Sequence, residues 1–330
     1  MTDVAAHAGV SVMTVSNVIN RPDVVAEKTR DKVLASMREL RYRNNLVARS
    51  LRLAEPRQIG YSLRLSTRRD EYMAEFLHHL AGACQDRGRN LTLVAEQWGE
   101  DELKAYEELY YGKSVSGFVI SEVEGEDRRP VALHRDGIPF VAYGQTFAGH
   151  EVPWSWVDAD AAGGIGMVVD HVRELGHSEL AYLGVDRETV QGQAKEAGYR
   201  RACERHGLER SLRPDRLARA GRGIGGGSAA ARVLLSTDPR PTAIVCGSDP
   251  HAAGALIAAA ELGLAPGRDL AVTGFGDTSV TEFGALGITS ISQRSRDIAD
   301  ALIESLHEHP GETRHVLLEP ELIVRSSTSG

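Results

Sequence analysis

The side chains best placed to do chemistry lie near the start of the chain, in residues 12–20, just after Gly9-Val10-Ser11. Val15, Val18 and Ile19 recur there at helical spacing and predict a buried face. The outward face presents hydroxyl, amide and apolar groups: Val12, Met13, Ser16, Asn17 and Asn20. Such groups on an exposed helix can reach base edges in the DNA major groove. The pattern therefore predicts a helix that reads DNA bases.

The elements that must position this helix are two further helices. Thr2 can cap a first helix that Gly9 ends, and Ser11 can cap the second. A third helix is predicted over 27–40, with its apolar residues toward the first two: Val33, Leu34, Met37 and Leu40. Two helices joined by a three-residue turn and braced by a third form a helix-turn-helix. Spacing alone is equally compatible with an ordinary three-helix bundle whose polar face is solvated.

The charge is distributed unevenly along the chain. The net charge of the 330 residues is −8, but residues 1–52 carry nine Lys/Arg and five Asp/Glu, a net +4. The remainder carries 29 Lys/Arg and 41 Asp/Glu, a net −12. A basic head on an acidic body is typical of a protein that contacts a polyanion through one end only.

The head also resembles a known family. TDVAAHAGVSVMTVSNVIN, followed by TRDKVLASMRELRYRNNLVARSL, closely resembles the head of the lactose-repressor (LacI/GalR) family of bacterial transcription regulators, without gaps over Asp3–Leu51. The resemblance implies that one group of residues reads or positions DNA bases: Val12, Met13, Thr14, Ser16, Asn17 and Asn20. It implies phosphate contacts for a second group: Thr29, Tyr42 and Asn45.

The same resemblance makes Asn45–Arg52 a hinge helix, which is too short to be stable alone and would order when two copies pack on DNA. Leu51 stands where the family drives a leucine into the minor groove. The alternative for Leu51 is an ordinary apolar residue at a domain junction.

Two positions depart from the family. Asn17 replaces a common Arg or His, and Ala26 replaces a Ser cap, at a cost of about 1 kcal/mol of helix stability.

After residue 56 the pattern changes to short apolar runs that alternate with amphipathic stretches. The expected strands are QIGYSLRL, NLTLVAE, SGFVISE, IPFVAYG, ELAYLGV, PTAIVCG and DLAVTGFG. The expected helices span 71–87, 101–111, 161–175, 193–206, 251–262 and 296–308. This alternation predicts parallel α/β sheets. The expected strands are too many for one compact sheet, so we expect two α/β lobes.

The resemblance continues through this body and implies a periplasmic-binding-protein-like fold of two lobes. The chain would cross between the lobes near Trp156, Ile288 and Leu317. The fold class is therefore α/β, with an all-α helix-turn-helix head and a two-lobed body of parallel sheets. The expected domains are 1–44 (head), 45–56 (hinge helix and linker) and 57–330 (effector binding and dimerisation).

The family binds a small molecule, usually a sugar or its derivative, between the lobes. The positions that correspond to its ligand contacts are Tyr72, Lys195, Arg222, Ser248, Asp249 and Gly276. Asp249 could instead brace the cleft, and Arg222 could reflect loop variation. Gly144 and Gly276 stand where acids are found in the family, while Lys195 adds a positive charge. These changes predict an anionic sugar derivative as the effector.

Other function classes find little support. Gly221–Gly226 satisfies GxGxxG, but RLARA before it is a poor strand, which favours a flexible loop. The three cysteines and twelve histidines show no metal-binding spacing, and no catalytic constellation appears. We expect no enzyme activity, no cofactor and no metal. The chain shows neither a signal peptide nor a run of about 20 apolar residues, which predicts a cytoplasmic protein with no membrane partner.

The sequence thus predicts a DNA-binding transcriptional regulator, most simply a repressor, controlled by a small-molecule effector. Its partners would be a near-palindromic double-stranded operator, a carbohydrate-like ligand and a second copy of the chain. The tail offers no heptads for a tetramer. The alternative is a sugar-capture protein of a transport system, which would have no use for residues 1–52.

Overall fold

The computed structural model describes residues 1–40, 42, 56–64, 71–96, 101–123, 127–145, 151–185, 189–282, 287–308 and 311–329. It divides into two compact units, Met1–Pro56 and Arg57–Gly330. The hinge helix expected over 45–52, with Asn45 and Leu51, lies outside the described residues.

The first unit is a small bundle of three helices: α1 (Thr2–Ala8), α2 (Val12–Asn20) and α3 (Glu27–Glu39). Gly9 ends α1 in the left-handed conformation (φ 59°), and its N–H bonds back to the last turn. The apolar faces meet in a core that includes Val4, Val15, Val18 and Val33. The three-residue turn between α1 and α2 gives the helix-turn-helix arrangement expected from the sequence.

The second unit alternates strands and helices. Its strands are β1 (Gln58–Arg64), β2 (Asn90–Glu96), β3 (Phe118–Ile120), β4 (Phe140–Tyr143), β5 (Trp156–Ala159), β6 (Leu180–Val185), β7 (Leu217–Ala220), β8 (Ala243–Cys246), β9 (Ala271–Gly276), β10 (Thr289–Ser292), β11 (His315–Leu318) and β12 (Glu321–Ile323). Its helices are α4 (Glu71–Asp86), α5 (Asp101–Tyr111), α6 (Arg129–Arg135), α7 (Ala161–Glu174), α8 (Val190–Arg205), α9 (Ile224–Leu235), α10 (Asp249–Glu261) and α11 (Ser295–His307).

The strands form two six-stranded sheets, one in each lobe. Lobe 1 has the order β11-β5-β4-β3-β1-β2, and all its neighbouring strands are parallel. Lobe 2 has the order β12-β10-β9-β8-β6-β7, parallel except for β12. Strands β3, β4, β8 and β9 are buried along their whole length because helices cover both faces of each sheet.

The chain passes between the lobes three times, after β5, after β10 and after β11. The strands before the crossings end at Ala159, Ser292 and Leu318, close to the predicted positions near Trp156, Ile288 and Leu317. The α11 helix illustrates the second crossing: β10 belongs to lobe 2, while Ile298 and Leu302 of α11 are buried in the core of lobe 1.

One prediction about a strand is wrong. RLARA contains β7, which pairs in parallel with β6 at the edge of the lobe 2 sheet. Leu217 and Ala218 are only partly buried, so an edge strand here needs fewer apolar residues than a central one. The glycine-rich segment 221–226 therefore follows a strand and opens α9.

Candidate nucleic-acid interface and ligand cleft

The α2 helix begins at a built cap. The Ser11 Oγ accepts a hydrogen bond from the Thr14 backbone N–H at 3.1 Å and lies 2.9 Å from the Thr14 hydroxyl. The cap satisfies an N–H that the first turn would otherwise leave without a partner. Immediately after it, Val12 is 44% and Met13 70% exposed. The start of α2 is thus fixed by its cap and presents apolar side chains to solvent.

The third helix starts without such a cap. Ala26 precedes α3 in an extended backbone conformation and has no side-chain oxygen to offer. Thr29 is half-buried in the first turn of α3. Tyr42 packs against the head core, and its N–H donates to the carbonyl oxygen of Met37 at 2.8 Å. Both residues therefore sit on the framework that holds α2.

A cleft of about 770 Å³, counted with the solvent at its mouth, lies between the two lobes of the body. Its lobe 1 side is built from residues at or after the carboxyl ends of β3, β4 and β5, together with α4: Tyr72, Met73, Ser121, Glu122, Val123, Tyr143, Gly144, Gln145 and Asp158. Its lobe 2 side is built from the start of α8 and the loop after β7: Thr189, Val190, Gln191 and Arg222. Carboxyl ends of parallel strands are where α/β folds bind ligands.

Asp158 is the buried acid of this cleft. Its carboxylate accepts hydrogen bonds from the backbone N–H groups of Gln145 (2.9 Å) and Ala159 (2.8 Å). Burial raises the pKa of Asp158; these two bonds, a bond from the Gln191 side chain and the positive charge of Lys195 lower it. Gln191 also donates to the Gln293 side-chain oxygen at 3.3 Å. Hydrogen bonds thus connect Asp158 of lobe 1 through the Gln191 side chain to Gln293, which lies at the second crossing between the lobes.

The aromatic wall of the cleft is also fixed. The hydroxyls of Tyr72 and Tyr143 lie 2.6 Å apart, and the Tyr143 ring stacks on Phe76 with 4.4 Å between centroids. Burial raises the pKa of Tyr143, and the neighbouring tyrosine hydroxyl adds to the effect. The Tyr143 phenol therefore stays neutral, and its hydroxyl is paired with that of Tyr72 at the wall of the cleft.

A buried ion pair supports the segment that carries Glu122. The Arg129 guanidinium bonds both carboxylate oxygens of Asp127, and also donates to the Ser62 hydroxyl (2.6 Å) and the Ser121 carbonyl oxygen (2.8 Å). Glu122 follows in the left-handed region, with φ 52°. This conformation is uncommon for a residue with a side chain, and the anchored carbonyl just before it helps to hold it.

Comparison with known proteins identifies the relatives of this architecture. Residues 1–45 match the family model for bacterial regulatory proteins of the lacI family, and residues 169–328 match that of a periplasmic binding protein-like domain. The HTH-type transcriptional repressor PurR of Serratia proteamaculans is 29% identical over 333 residues, covering 99% of this chain and 96% of that protein. The chain belongs to the LacI/GalR family.

Solved structures of LacI/GalR proteins agree. The lac repressor dimer bound to operator and the anti-inducer ONPF matches 99% of this chain and 98% of its own, with a TM-score of 0.80 and 25% identity. A complex of the transcriptional regulator CelR with cellobiose matches 98% of both chains, with a TM-score of 0.72 and 27% identity. This LacI/GalR member is accordingly a DNA-binding transcriptional regulator, neither an enzyme nor a capture protein of transport.

The ligand positions implied by the family resemblance are only partly brought together. Tyr72 and Arg222 line the cleft. Lys195, Ser248, Asp249 and Gly276 are not among its lining residues. Ser248 caps α10, accepting from the His251 N–H at 3.4 Å.

Asp249 is fully buried and acts within lobe 2. Its carboxylate accepts from the Thr278 N–H (2.7 Å), the Thr278 hydroxyl (3.0 Å) and the Ser290 hydroxyl (2.5 Å). Burial raises its pKa, against these bonds. Gly276, with φ 127°, lies against the same carboxylate. This is the bracing arrangement that the sequence left open for Asp249.

Sequence reasoning missed two acids of the cleft, Asp158 and Glu122. Asp158 lies in WVDAD within β5, and Glu122 follows the strand FVI. Their places at carboxyl ends of strands were the available indication. Among the described residues, no helix has the length and apolar character needed to cross a membrane, and no group of three or more His, Cys, Asp or Glu could hold a metal ion.

Proposed function

We propose that this LacI/GalR protein is a repressor whose operator affinity is controlled by a small hydroxylated molecule bound in the cleft. The observation that carries the proposal is the combination, in one chain, of a capped and exposed α2 with a polar cleft between two lobes. A capture protein would use only the cleft. The similarity of the chain to PurR repressors, and to the lac repressor bound to its operator, supports the proposed DNA binding.

The head would bind DNA through α2 and its supports. The proposed base-reading and positioning residues are Val12, Met13, Thr14, Ser16, Asn17 and Asn20. Thr29, Tyr42 and Asn45 would contact phosphates, which carry most of the salt-dependent affinity. Leu51 would enter the minor groove from a hinge helix that orders on DNA. The proposed boundaries are 1–44, 45–56 and 57–330.

The cleft favours a neutral, hydroxyl-rich effector such as a sugar. Asp158 and Glu122 supply carboxylates that accept hydroxyl hydrogen bonds, and Tyr72 supplies an aromatic edge with a hydroxyl. The expectation of an anionic effector rested on two missing carboxylates and on the positive charges of Lys195 and Arg222. The cleft lining contains two carboxylates, Glu122 and Asp158, and one cation, Arg222. The cellobiose complex of CelR, a structural relative, supports a carbohydrate.

The working form would be a homodimer in the cytoplasm, where its DNA would be found. Two heads related by a twofold axis match a near-palindromic operator. The lac repressor relative was solved as a dimer on its operator, which supports this state. A ligand can change DNA affinity only through different affinities for two arrangements of the chain.

The test is operator binding by the full chain, measured by fluorescence anisotropy on a duplex selected from a random pool. A panel of neutral mono- and disaccharides is then titrated into the complex. We expect specific binding that a chain lacking residues 1–56 has lost, and a change in affinity of at least fivefold with one sugar. Retention of specific binding by the truncated chain would contradict the proposed role of the head.

A further inference from the structure

We propose that α2 selects A·T base pairs in each half-site of the operator, through thymine methyl groups and the adenine edge. This inference rests on the proposed operator binding and adds which bases the protein reads. It concerns the major-groove positions on either side of the dyad.

The geometry of α2 decides which side chains can face DNA. Val15 and Val18 are buried in the head core, and Ile19 packs against it. At 100° per residue, the opposite direction lies between Met13 and Asn17, which are four residues apart on one face. In helix-turn-helix proteins the N-terminal residues of the second helix contact base edges. Met13 and its exposed neighbour Val12 occupy that end.

The α2 helix carries none of the charged side chains that usually recognise G·C pairs. The sequence VMTVSNVIN contains no Arg or Lys, the side chains that pair with guanine O6 and N7, and no Asp or Glu, which accept from cytosine N4. The cations of the described head lie outside the helix: Arg21, Lys28, Arg30, Lys32 and Arg38. Such cations suit phosphate contacts.

The groups that α2 does carry fit A·T pairs. Asn pairs with adenine N6 and N7 through two hydrogen bonds, and apolar side chains contact the thymine methyl. Asn17 supplies the amide; Met13 and Val12 supply the apolar surface. The Thr14 hydroxyl is already paired with the Ser11 cap, which makes Thr14 a residue that shapes the helix start.

The first experiment selects duplexes from a random pool with the full chain. We expect enriched half-sites whose strongest major-groove positions on both sides of the dyad are A·T. Enriched half-sites dominated by G·C would overturn the inference while leaving operator binding intact. A pool with no enrichment would overturn operator binding itself, so the two failures are distinguishable.

The second experiment replaces each selected thymine by uracil, which removes only the C5 methyl group. We expect about a fourfold loss of affinity for each methyl that α2 contacts, the value of one buried carbon. Met13→Ala should reduce that dependence. Leu34→Ala, which shortens an exposed apolar residue on α3, is the matched control and should retain it. Affinities within twofold at every uracil position would overturn the methyl contact.

The third experiment repeats the selection with Asn17→Arg. Because Arg pairs with guanine as Asn pairs with adenine, we expect one position in each half-site to change from A to G. Circular dichroism confirms that the variant head is folded. An unchanged selected sequence from a folded, binding variant would overturn the role of Asn17.

Discussion

The Lys195 ammonium nitrogen lies 3.7 Å from the centre of the Phe275 ring and donates a hydrogen bond to the Gly247 carbonyl oxygen at 3.1 Å. The side chain is only 9% exposed. Its cation thus lies against a ring face and a carbonyl oxygen of lobe 2. The only cation among the described residues that line the cleft is Arg222.

Lys195 is therefore expected to contribute to the stability of lobe 2. Lys195→Ala removes a buried stem and the cation–π contact, and leaves the Gly247 carbonyl without this donor, at a cost of about 2 kcal/mol. Urea unfolding of the full chain measures this. Lys104→Ala, which alters an exposed pair with Glu108, is the control and should leave the midpoint unchanged. Equal midpoints for both variants would contradict the assignment.

The charges of the cleft predict which effectors it accepts. The cleft lining carries the two carboxylates of Glu122 and Asp158 and one cation, Arg222, so a phosphorylated sugar should bind at least about tenfold more weakly than its neutral parent. Calorimetry on the full chain gives both affinities. Arg222→Gln should weaken the phosphorylated ligand more than the neutral one. Tighter binding of the phosphorylated form would contradict the proposal of a neutral effector and support an anionic one.

Asp158 predicts a dependence of stability on pH. Because burial raises its pKa above the ordinary 3.8, ionisation costs the folded state free energy. Relative to Asp158→Asn, the wild type should lose stability as pH rises from about 4 through the raised pKa, and then level off. Thermal midpoints of the two proteins from pH 4 to 7.5 measure the difference. A difference that is independent of pH would show that burial does not perturb this carboxyl.

The same variant should weaken effector binding. A charge-assisted hydrogen bond to a hydroxyl is worth about 1.5–3 kcal/mol, so the loss should exceed about tenfold.

Much of the fold could be predicted because its local patterns agree with its topology. Asp101–Tyr111 is a helix as predicted, and the other predicted helices differ by one to three residues at their ends. The patterns failed at the lobe 2 edge, where β7 is stabilised by pairing with β6 rather than by its own apolar content. Pairing between strands distant in sequence leaves little trace in either strand.

The site was harder to predict, because side-chain direction depends on packing. The position of Lys195 suggested a ligand contact, yet its ammonium turns to Phe275, a residue 80 positions later. Asp158 lies in an ordinary strand pattern and becomes a cleft residue only where β5 ends. The exposed face of α2, by contrast, followed from helical periodicity, because one local element fixes it.

Arg129 gives a test of the support beneath the cleft. Arg129→Met leaves the Asp127 carboxylate buried without its partner, which should cost about 3–5 kcal/mol. Arg135→Met, in an exposed pair with Asp136 on the same helix, is the control and should have no measurable effect on the unfolding midpoint. Restoring stability in Arg129→Met by also changing Asp127→Leu would confirm that the cost comes from the unpaired charge.

Gly198 tests whether the packing of α7 against α8 positions the lobe 2 side of the cleft. A Cβ at Gly198 would overlap the Ala162 carbonyl oxygen and lie 2.8 Å from the Ala162 Cα, so α8 must shift. Gly198→Ala should therefore cost about 1–3 kcal/mol. Because α8 begins at the cleft with Val190 and Gln191, the same shift should weaken effector binding.

Gly166 on α7 provides the matched control. A Cβ there meets no atom within 4 Å, and alanine is the better helix former, so Gly166→Ala should stabilise the chain by about 0.5–1 kcal/mol. Effector affinity should stay unchanged, because α7 keeps its place. Thermal unfolding and calorimetry on the two variants separate these outcomes. If Gly198→Ala lowered stability but retained full effector affinity, the contact between α7 and α8 would not be what positions Gln191.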